Sequence, residues 1–455
     1  MITKRNKKLL KILLIFKISF LVCVYYTHLK LNDSNLSNYK IENNFYSYLI
    51  KEINKIDHYN NFTNKTLNNP KDIFKILYEH KAFLIDVEIL NQTKSNNKSS
   101  NNNNFNFGIY FKQYYNLLNY LNRSNCNLFN INTNYVNLSI PSAIYLKCLH
   151  NNLRIQISAI YDRGDFLWIP RDNFKWPNYR KYFNDKTRSL NHFKIYQVNF
   201  SNNYKVYKPQ NIQKFLYDYK NSEFIECNYD LAKYNYVSSG YRYRQNLTKN
   251  EIVSTKLDYI KQIIESYHKD YWLAGGTLLG WYRDCGMIPH TTDIDLGLLS
   301  NQHESRIKQS FKGNLNMPLM LQFGYKNDSY ELRLGNNDLW VDLFYFYDYN
   351  QTHQWCAYQD KRIKKRRFVS KLNNLLCSAE LFNRKYLVPC RVEKYLNEEY
   401  GMNEWIRPQD KNYTWTNVFY WKNWTDSEWI NAVKFYDLNG NFLNNLTQQY
   451  INKYL

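Results

Sequence analysis

The sequence predicts an α/β protein: an N-terminal signal-anchor helix, a small α/β domain beyond a stem, and a C-terminal α/β domain on a mixed sheet. Three observations carry this. An apolar run from Leu9 to Tyr26 follows the basic residues Lys4, Arg5, Lys7 and Lys8. Short strand-like stretches then alternate with helical patterns through the middle of the chain. After residue 250 an amphipathic helix leads into a strand, a glycine pair, a second helix and a strand bearing two aspartates. At 455 residues the chain has room for two cores.

Residues 1–8 read as a cytosolic tail and residues 9–27 as the anchor. The run approaches the ~20 residues that a bilayer requires. Lys11 can snorkel to the headgroups, whereas Lys17 sits deep enough to cost about 3 kcal/mol. No small-residue cleavage site follows, which favours an uncleaved anchor over a removed signal peptide. Positive charge ahead of the run places the tail in the cytosol and the rest in the lumen. An amphipathic surface helix is the alternative.

A lumenal body agrees with the sequons Asn61-Phe62-Thr63, Asn64-Lys65-Thr66, Asn91-Gln92-Thr93, Asn137-Leu138-Ser139 and Asn246-Leu247-Thr248. Beyond Cys23 stand Cys126, Cys148, Cys227, Cys285, Cys356, Cys377 and Cys390, an odd set that leaves at least one thiol unpaired within the chain. None forms a CxxC pair, so a zinc site would need distant ligands, such as Cys356, Cys377 and Cys390 with His353. The net charge of +22 favours a phosphate-bearing substrate, with nucleic acid or an anionic membrane as the other readings. Heavy use of Asn, Lys, Ile and Tyr, all with A/T-rich codons, accounts for that charge equally well.

Residues 28–70 are polar and without periodicity, which predicts a stem or linker. Ser95 to Asn104 is almost wholly Asn, Ser and Lys and reads as a disordered loop. The first domain, residues 71–245, holds strand-like stretches at Phe83–Val87, Arg154–Ile160 and Phe193–Val198, and a helical pattern at Asn211–Tyr219. It has no Gly-rich phosphate loop and no carboxylate pair on a strand, so it reads as scaffold or acceptor-binding.

The second domain, residues 246–455, opens with a helix whose apolar face is Val253, Leu257, Ile260, Ile264 and Tyr267. A strand, Tyr271 to Ala274, leads to Gly275-Gly276-Thr277, a helix and then Asp293-Ile294-Asp295 on a strand. That order is the one found in the nucleotidyltransferase fold. Two glycines let backbone approach a phosphate, and N–H groups opening the next helix bind anionic oxygens. Residues i and i+2 of a strand share a face, so Asp293 and Asp295 project together. Paired carboxylates suit Mg²⁺ or Mn²⁺, which would bridge donor phosphates and neutralise developing charge. Separately, a glycine pair reads as a turn and Asp-x-Asp as a solvated strand end; their order points to a site.

Asp342 is the one charge in the apolar run Leu339 to Phe346. Burial there is costly unless the carboxylate ligates metal, acts as a base or pairs with an arginine such as Arg333. Arg283 would reach donor phosphate from the second helix, or else form a packing ion pair. His290 would contact substrate or serve a turn. The run Lys361 to Arg367 reads as a solvated loop or a gathering point for anions. Trp281, Trp340 and Tyr345 are candidates for stacking on a base or sugar, with core packing the default.

With these residues placed, the chain resembles the fukutin family within the LicD-type group. The resemblance lies in Ala274–Arg283, Ile288–Gly297, Phe323-Gly324, Ser329–Leu332, Val341–Phe344, Val388–Cys390 and Tyr400-Gly401, spanning residues 250 to 430 in order. Phe83–Asp86 and Phe224–Cys227 are similar to its amino-terminal region. The resemblance implies a type II Golgi membrane protein that transfers ribitol phosphate from CDP-ribitol to an O-mannosyl glycan of the α-dystroglycan type, releasing CMP. CDP-glycerol or CDP-choline are the alternative donors, and a non-catalytic scaffold for a partner transferase is the alternative role. It also implies a complex with another glycan-modifying transferase and metal ligation by Asp293, Asp295 and Asp342, while the anchor, by placing the site in the lumen, argues against a nucleic-acid partner. Thr291 and Gly297 flank the aspartate pair where the family's tighter form carries a third aspartate, which leaves the number of ions open.

Overall fold

In the computed structural model, residues 45, 48–49, 70–92, 104–122, 124, 126–148, 153–174, 183–200, 204–238, 247–289, 291–336, 339–372, 375–408 and 420–454 are described. The chain forms two units, Met1–Asp57 and His58–Leu455. The expected cytosolic tail and anchor, most of the stem, nearly all of the Ser95–Asn104 loop, and His290 lie outside the described residues. Within the stem, Phe45, Tyr48 and Leu49 are helical. Among the described residues no helix is long and apolar enough to cross a membrane.

The second unit is a mixed α/β structure with two nine-stranded sheets. Alternation of β-branched and aromatic residues drives the first. Its order is Cys126–Tyr135, Leu138–Cys148, Leu153–Arg163, Asn104–Tyr110, Phe83–Leu84, Tyr204–Pro209 and Ile195–Phe200, with Phe166–Ile169 and Arg188–Asn191 branching from Leu153–Arg163. Asn104–Tyr110 runs parallel to Leu153–Arg163, and the remaining neighbours include antiparallel pairs. Leu153–Arg163 is buried on both faces, so its polar residues need internal partners. Gln156 and Ser158 accordingly donate to Asn184 Oδ1.

The expected strand at Phe83–Val87 is shorter than its apolar pattern suggests. Asp86 ends it by accepting the N–H groups of Glu88 and Ile89 at 3.1 and 3.2 Å, which starts the Val87–Gln92 helix. The predicted helix near Asn211 is the Ile212–Lys220 helix, with Asn211 as its cap.

The second sheet runs Tyr420–Asn423, Ile363–Ser370, His353–Asp360, Leu339–Asp348, Asp328–Asn336, Leu319–Tyr325 and Val433–Phe435. Asp293–Leu299 pairs in parallel with Leu339–Asp348 and antiparallel with Tyr271–Leu273. The Leu247–Ser266 helix buries Val253, Leu257, Ile260 and Ile264 against this sheet's core, as its period predicts. Arg163 of the first sheet is buried between Glu226 and Glu380, at 2.6 Å from each, and so ties that sheet to the two-stranded ribbon of Leu376–Leu381 and Arg384–Pro389.

The basic run after Lys361 is neither a solvated loop nor an open anion trap. It forms most of the Ile363–Ser370 strand, with Lys364, Lys365 and Arg367 buried and paired with Asp328, Asp360 and Glu399. Among the described residues, three disulfides, Cys126–Cys148, Cys227–Cys285 and Cys377–Cys390, leave Cys356 as a buried free thiol. The distant-cysteine zinc site is therefore corrected: Cys377 and Cys390, on the paired strands Leu376–Leu381 and Arg384–Pro389 and just past them, bond each other.

Candidate active site

The Tyr271–Leu273 strand passes through Ala274, in extended backbone, into the Gly275–Asp284 helix. Gly275 has φ +49°, and a Cβ there would lie 2.4 Å from Asp295 Oδ2. Gly276 N–H donates to that same oxygen at 2.9 Å. The Asp295 N–H donates to Thr277 Oγ1 at 2.9 Å, and Ala274 N–H donates to the Asp295 carbonyl at 3.0 Å. The close approach that the glycines permit is thus that of a carboxylate of the same chain. Gly275, Gly276 and Thr277, expected on donor phosphate, clamp Asp295 at the positive end of the helix.

Parallel pairing sets Asp295 beside Asp342 and Asp293 beside Trp340. One oxygen from each of Asp293, Asp295 and Asp342 lies within 4.8 Å of the others. Thr291 Oγ1 donates to Asp293 Oδ1 at 3.0 Å. Asp342 is buried and receives Arg333 in bidentate fashion, Nε to Oδ1 and Nη2 to Oδ2, each at 2.7 Å. Pairing with Arg333 and membership of the cluster, weighed as rivals in the sequence, coexist.

Glu331 was not singled out in the sequence. It stands two residues before Arg333 and faces Phe344 across the ladder. It is buried, and its Oε2 has no hydrogen-bond partner among the described residues. The signal that exposed Asp342, a lone acid in an apolar strand, was present at Tyr330-Glu331-Leu332 as well. Burial pushes the Glu331 carboxyl well up, with Asp342 adding and Arg333 opposing. Burial likewise pushes Asp295 well up, with the charges of Asp293 and Asp342 adding and Gly276 N–H opposing. Asp342 is raised by burial against the hydrogen bonds of Arg333. Three convergent hard oxygen donors that repel one another fit Mg²⁺ or Mn²⁺.

Arg283 does not face this cluster. Its guanidinium is buried, with Nε and Nη2 on Asp284 at 2.9 and 2.8 Å and Nη1 on the Trp405 carbonyl at 3.3 Å. The packing ion pair is what the structure holds, and the phosphate role is corrected. Trp281 is core, donating Nε1 to the Glu380 carbonyl at 2.9 Å. Tyr345 is core against Tyr330 and His303. Trp340 alone of the three stays half-exposed, on the same sheet face as Asp342.

Strand, glycine-opened helix, Asp-x-Asp strand and a third carboxylate from the parallel neighbour follow the order expected of a nucleotidyltransferase-type site. Residues 268–391 match the model of the LicD/FKTN/FKRP nucleotidyltransferase domain. The chain is 31% identical over 238 residues to mouse Ribitol-5-phosphate transferase FKTN, covering 50% of each chain. It is 30% identical over 243 residues to the human protein of that name, covering 51% of each. An uncharacterized protein of Caenorhabditis elegans is 29% identical over 243 residues, 50% of this chain and 62% of its own. Residues 268–391 thus match a LicD/FKTN/FKRP-type domain, and about half of the chain is similar to these FKTN proteins. The chain spans about half the length of the mouse and human relatives it matches.

Proposed function

We propose that this protein is a metal-dependent phosphotransferase that moves ribitol phosphate from CDP-ribitol to an O-mannosyl glycan and releases CMP. The observation that carries the reading is the convergence of Asp293, Asp295 and Asp342 within 4.8 Å, on the domain matched by the family model. The similarity to mouse and human Ribitol-5-phosphate transferase FKTN supports ribitol phosphate as the transferred group. Asp293, Asp295 and Asp342 would hold Mg²⁺ or Mn²⁺, which when bound supplies charge neutralisation for the diphosphate.

The chain's own residues orient the reaction. An acceptor hydroxyl attacks the ribitol-side phosphorus, a P–O bond forms, and the bond to the bridging oxygen breaks. CMP departs with that oxygen, and the hydroxyl proton is lost to base. Asp342, with both oxygens engaged by Arg333, is not placed to act as the base and would instead help to hold the ion. Trp340, half-exposed beside Asp293, offers a stacking surface for cytosine or sugar. A Golgi-lumenal location behind an anchor at residues 9–27 belongs to the same proposal, and three disulfides in the body support an oxidising compartment.

The test is CMP release by the purified protein with Mn²⁺ or Mg²⁺. CDP-ribitol, CDP-glycerol and CDP-choline are offered separately, each with a phosphorylated core O-mannosyl glycopeptide. Turnover with CDP-ribitol alone, lost in Asp293→Ala while the protein stays folded, is the expected result. Turnover with another donor keeps the mechanism and replaces the substrate. Retained turnover in Asp293→Ala removes the site assignment, and no turnover with any donor points to the scaffold role.

A further inference from the structure

The arginine expected to meet donor phosphate, Arg283, is locked against Asp284. Another arginine stands at the site itself. Arg333 crosses to Asp342 from the antiparallel neighbour strand, and its Nε and Nη2 occupy both carboxylate oxygens at 2.7 Å. Its side chain remains 37% exposed, while Asp342 is 3% exposed. The arginine side chain is thus partly open to solvent, whereas the carboxylate it holds is not.

This arrangement has a consequence for any divalent cation on the three aspartates. The cation and the guanidinium would share Asp342, and two positive groups on one carboxylate repel. A guanidinium loosened from Asp342 would need another anion. Its planar fork matches a phosphate as well as a carboxylate, and its exposed side faces the solvent from which a diphosphate arrives. Resting on the phosphotransferase reading, we propose that Arg333 is an exchangeable counter-ion. It latches Asp342 in the metal-free site and transfers to the donor's diphosphate once a divalent cation takes the carboxylates. Metal and diphosphate binding would then be coupled through this one side chain, beyond the bridging that the metal itself provides.

The test uses the full chain, with Mn²⁺ alone as one probe and CDP in the presence of Mn²⁺ as the other. Bound Mn²⁺ is followed by electron paramagnetic resonance and CDP by calorimetry. In Arg333→Gln the Mn²⁺ affinity without nucleotide rises about tenfold, because a competitor is gone, and CDP affinity with Mn²⁺ falls about tenfold, both within the usual coupling range. A purely structural Arg333 predicts the opposite sign for Mn²⁺, since an unlatched Asp342 would be misplaced. Arg333→Lys keeps the charge but not the fork, and decides the matter should the Gln variant not fold. It is expected to bind Mn²⁺ more tightly than wild type and CDP more weakly. Weaker or unchanged Mn²⁺ binding in the folded variants, or unchanged CDP affinity, overturns the proposal while leaving the phosphotransferase reading intact. Failure of the wild type to bind Mn²⁺ at all overturns both.

Discussion

Gly275→Ala is the sharpest probe of the way the site is built. The new Cβ would sit 2.4 Å from Asp295 Oδ2 and 2.9 Å from its Cγ, where ordinary contact begins at 3.4 Å. The carboxylate must therefore retreat by about 1 Å, and Gly276 N–H and Thr277 Oγ1 resist that shift. The φ of +49° adds left-handed strain of about 1–2 kcal/mol for a residue with a Cβ. A 1 Å misplacement at a reacting centre typically costs on the order of 100-fold in rate. Thermal unfolding should report a loss of about 1–2 kcal/mol, and CMP release should fall by roughly 100-fold or more. The neighbouring Gly276→Ala is the control. Its Cβ meets Asp295 Oδ2 only at 3.6 Å, and its φ is not in the left-handed range. It should keep stability or gain about 0.5–1 kcal/mol from helix propensity. Equal damage from the two substitutions, or an undamaged Gly275→Ala, would refute the clamp.

Three further outcomes follow from the same geometry. Arg283→Met leaves Asp284, with no side-chain exposure, unpaired in the core; unfolding should report a loss of about 3–5 kcal/mol, whereas a phosphate-binding arginine would lower activity without that loss. Burial pushes the Asp172 carboxyl up to about 6, with Phe174 N–H, Tyr145 and Ser142 opposing. The folded protein then holds a proton that the unfolded chain has released, so stability falls as pH rises from about 4 to 6; Asp172→Asn should flatten denaturant midpoints across that window. Removing the Cys227–Cys285 bond by Cys227→Ser with Cys285→Ser opens a link across 58 residues; the midpoint of unfolding should drop by an amount equivalent to about 2–5 kcal/mol.

What the sequence disclosed was local. The positions of Gly275-Gly276-Thr277 and Asp293-Ile294-Asp295 were legible because they depend on spacing along one strand and one helix, but that the glycines close on Asp295 was not. Asp342 was legible because a single acid in an apolar run demands a reason. The burial of Lys364, Lys365 and Arg367 was not, because their acids come from Asp328, Asp360 and Glu399, each on a different segment. Of the two readings of Arg283 the structure holds the packing ion pair, and its partner was not legible because adjacency in a helix does not by itself predict an ion pair. Arg333 was legible as a possible partner of Asp342, but that the pair and the acidic cluster coexist depends on the register of the ladder, which no local pattern specifies. The pairing of Cys377 with Cys390, and so the loss of a zinc site, likewise depends on two strands being neighbours.

The central claim is that Asp293, Asp295 and Asp342 form a divalent-cation site. Crystals of the protein soaked in Mn²⁺, with anomalous diffraction recorded at the manganese edge, address it most directly. A peak between the three carboxylates, with Gly276 N–H still on Asp295, is the result predicted. Density for Mn²⁺ only elsewhere, or none while Arg333 and the three aspartates keep their present contacts, would contradict it.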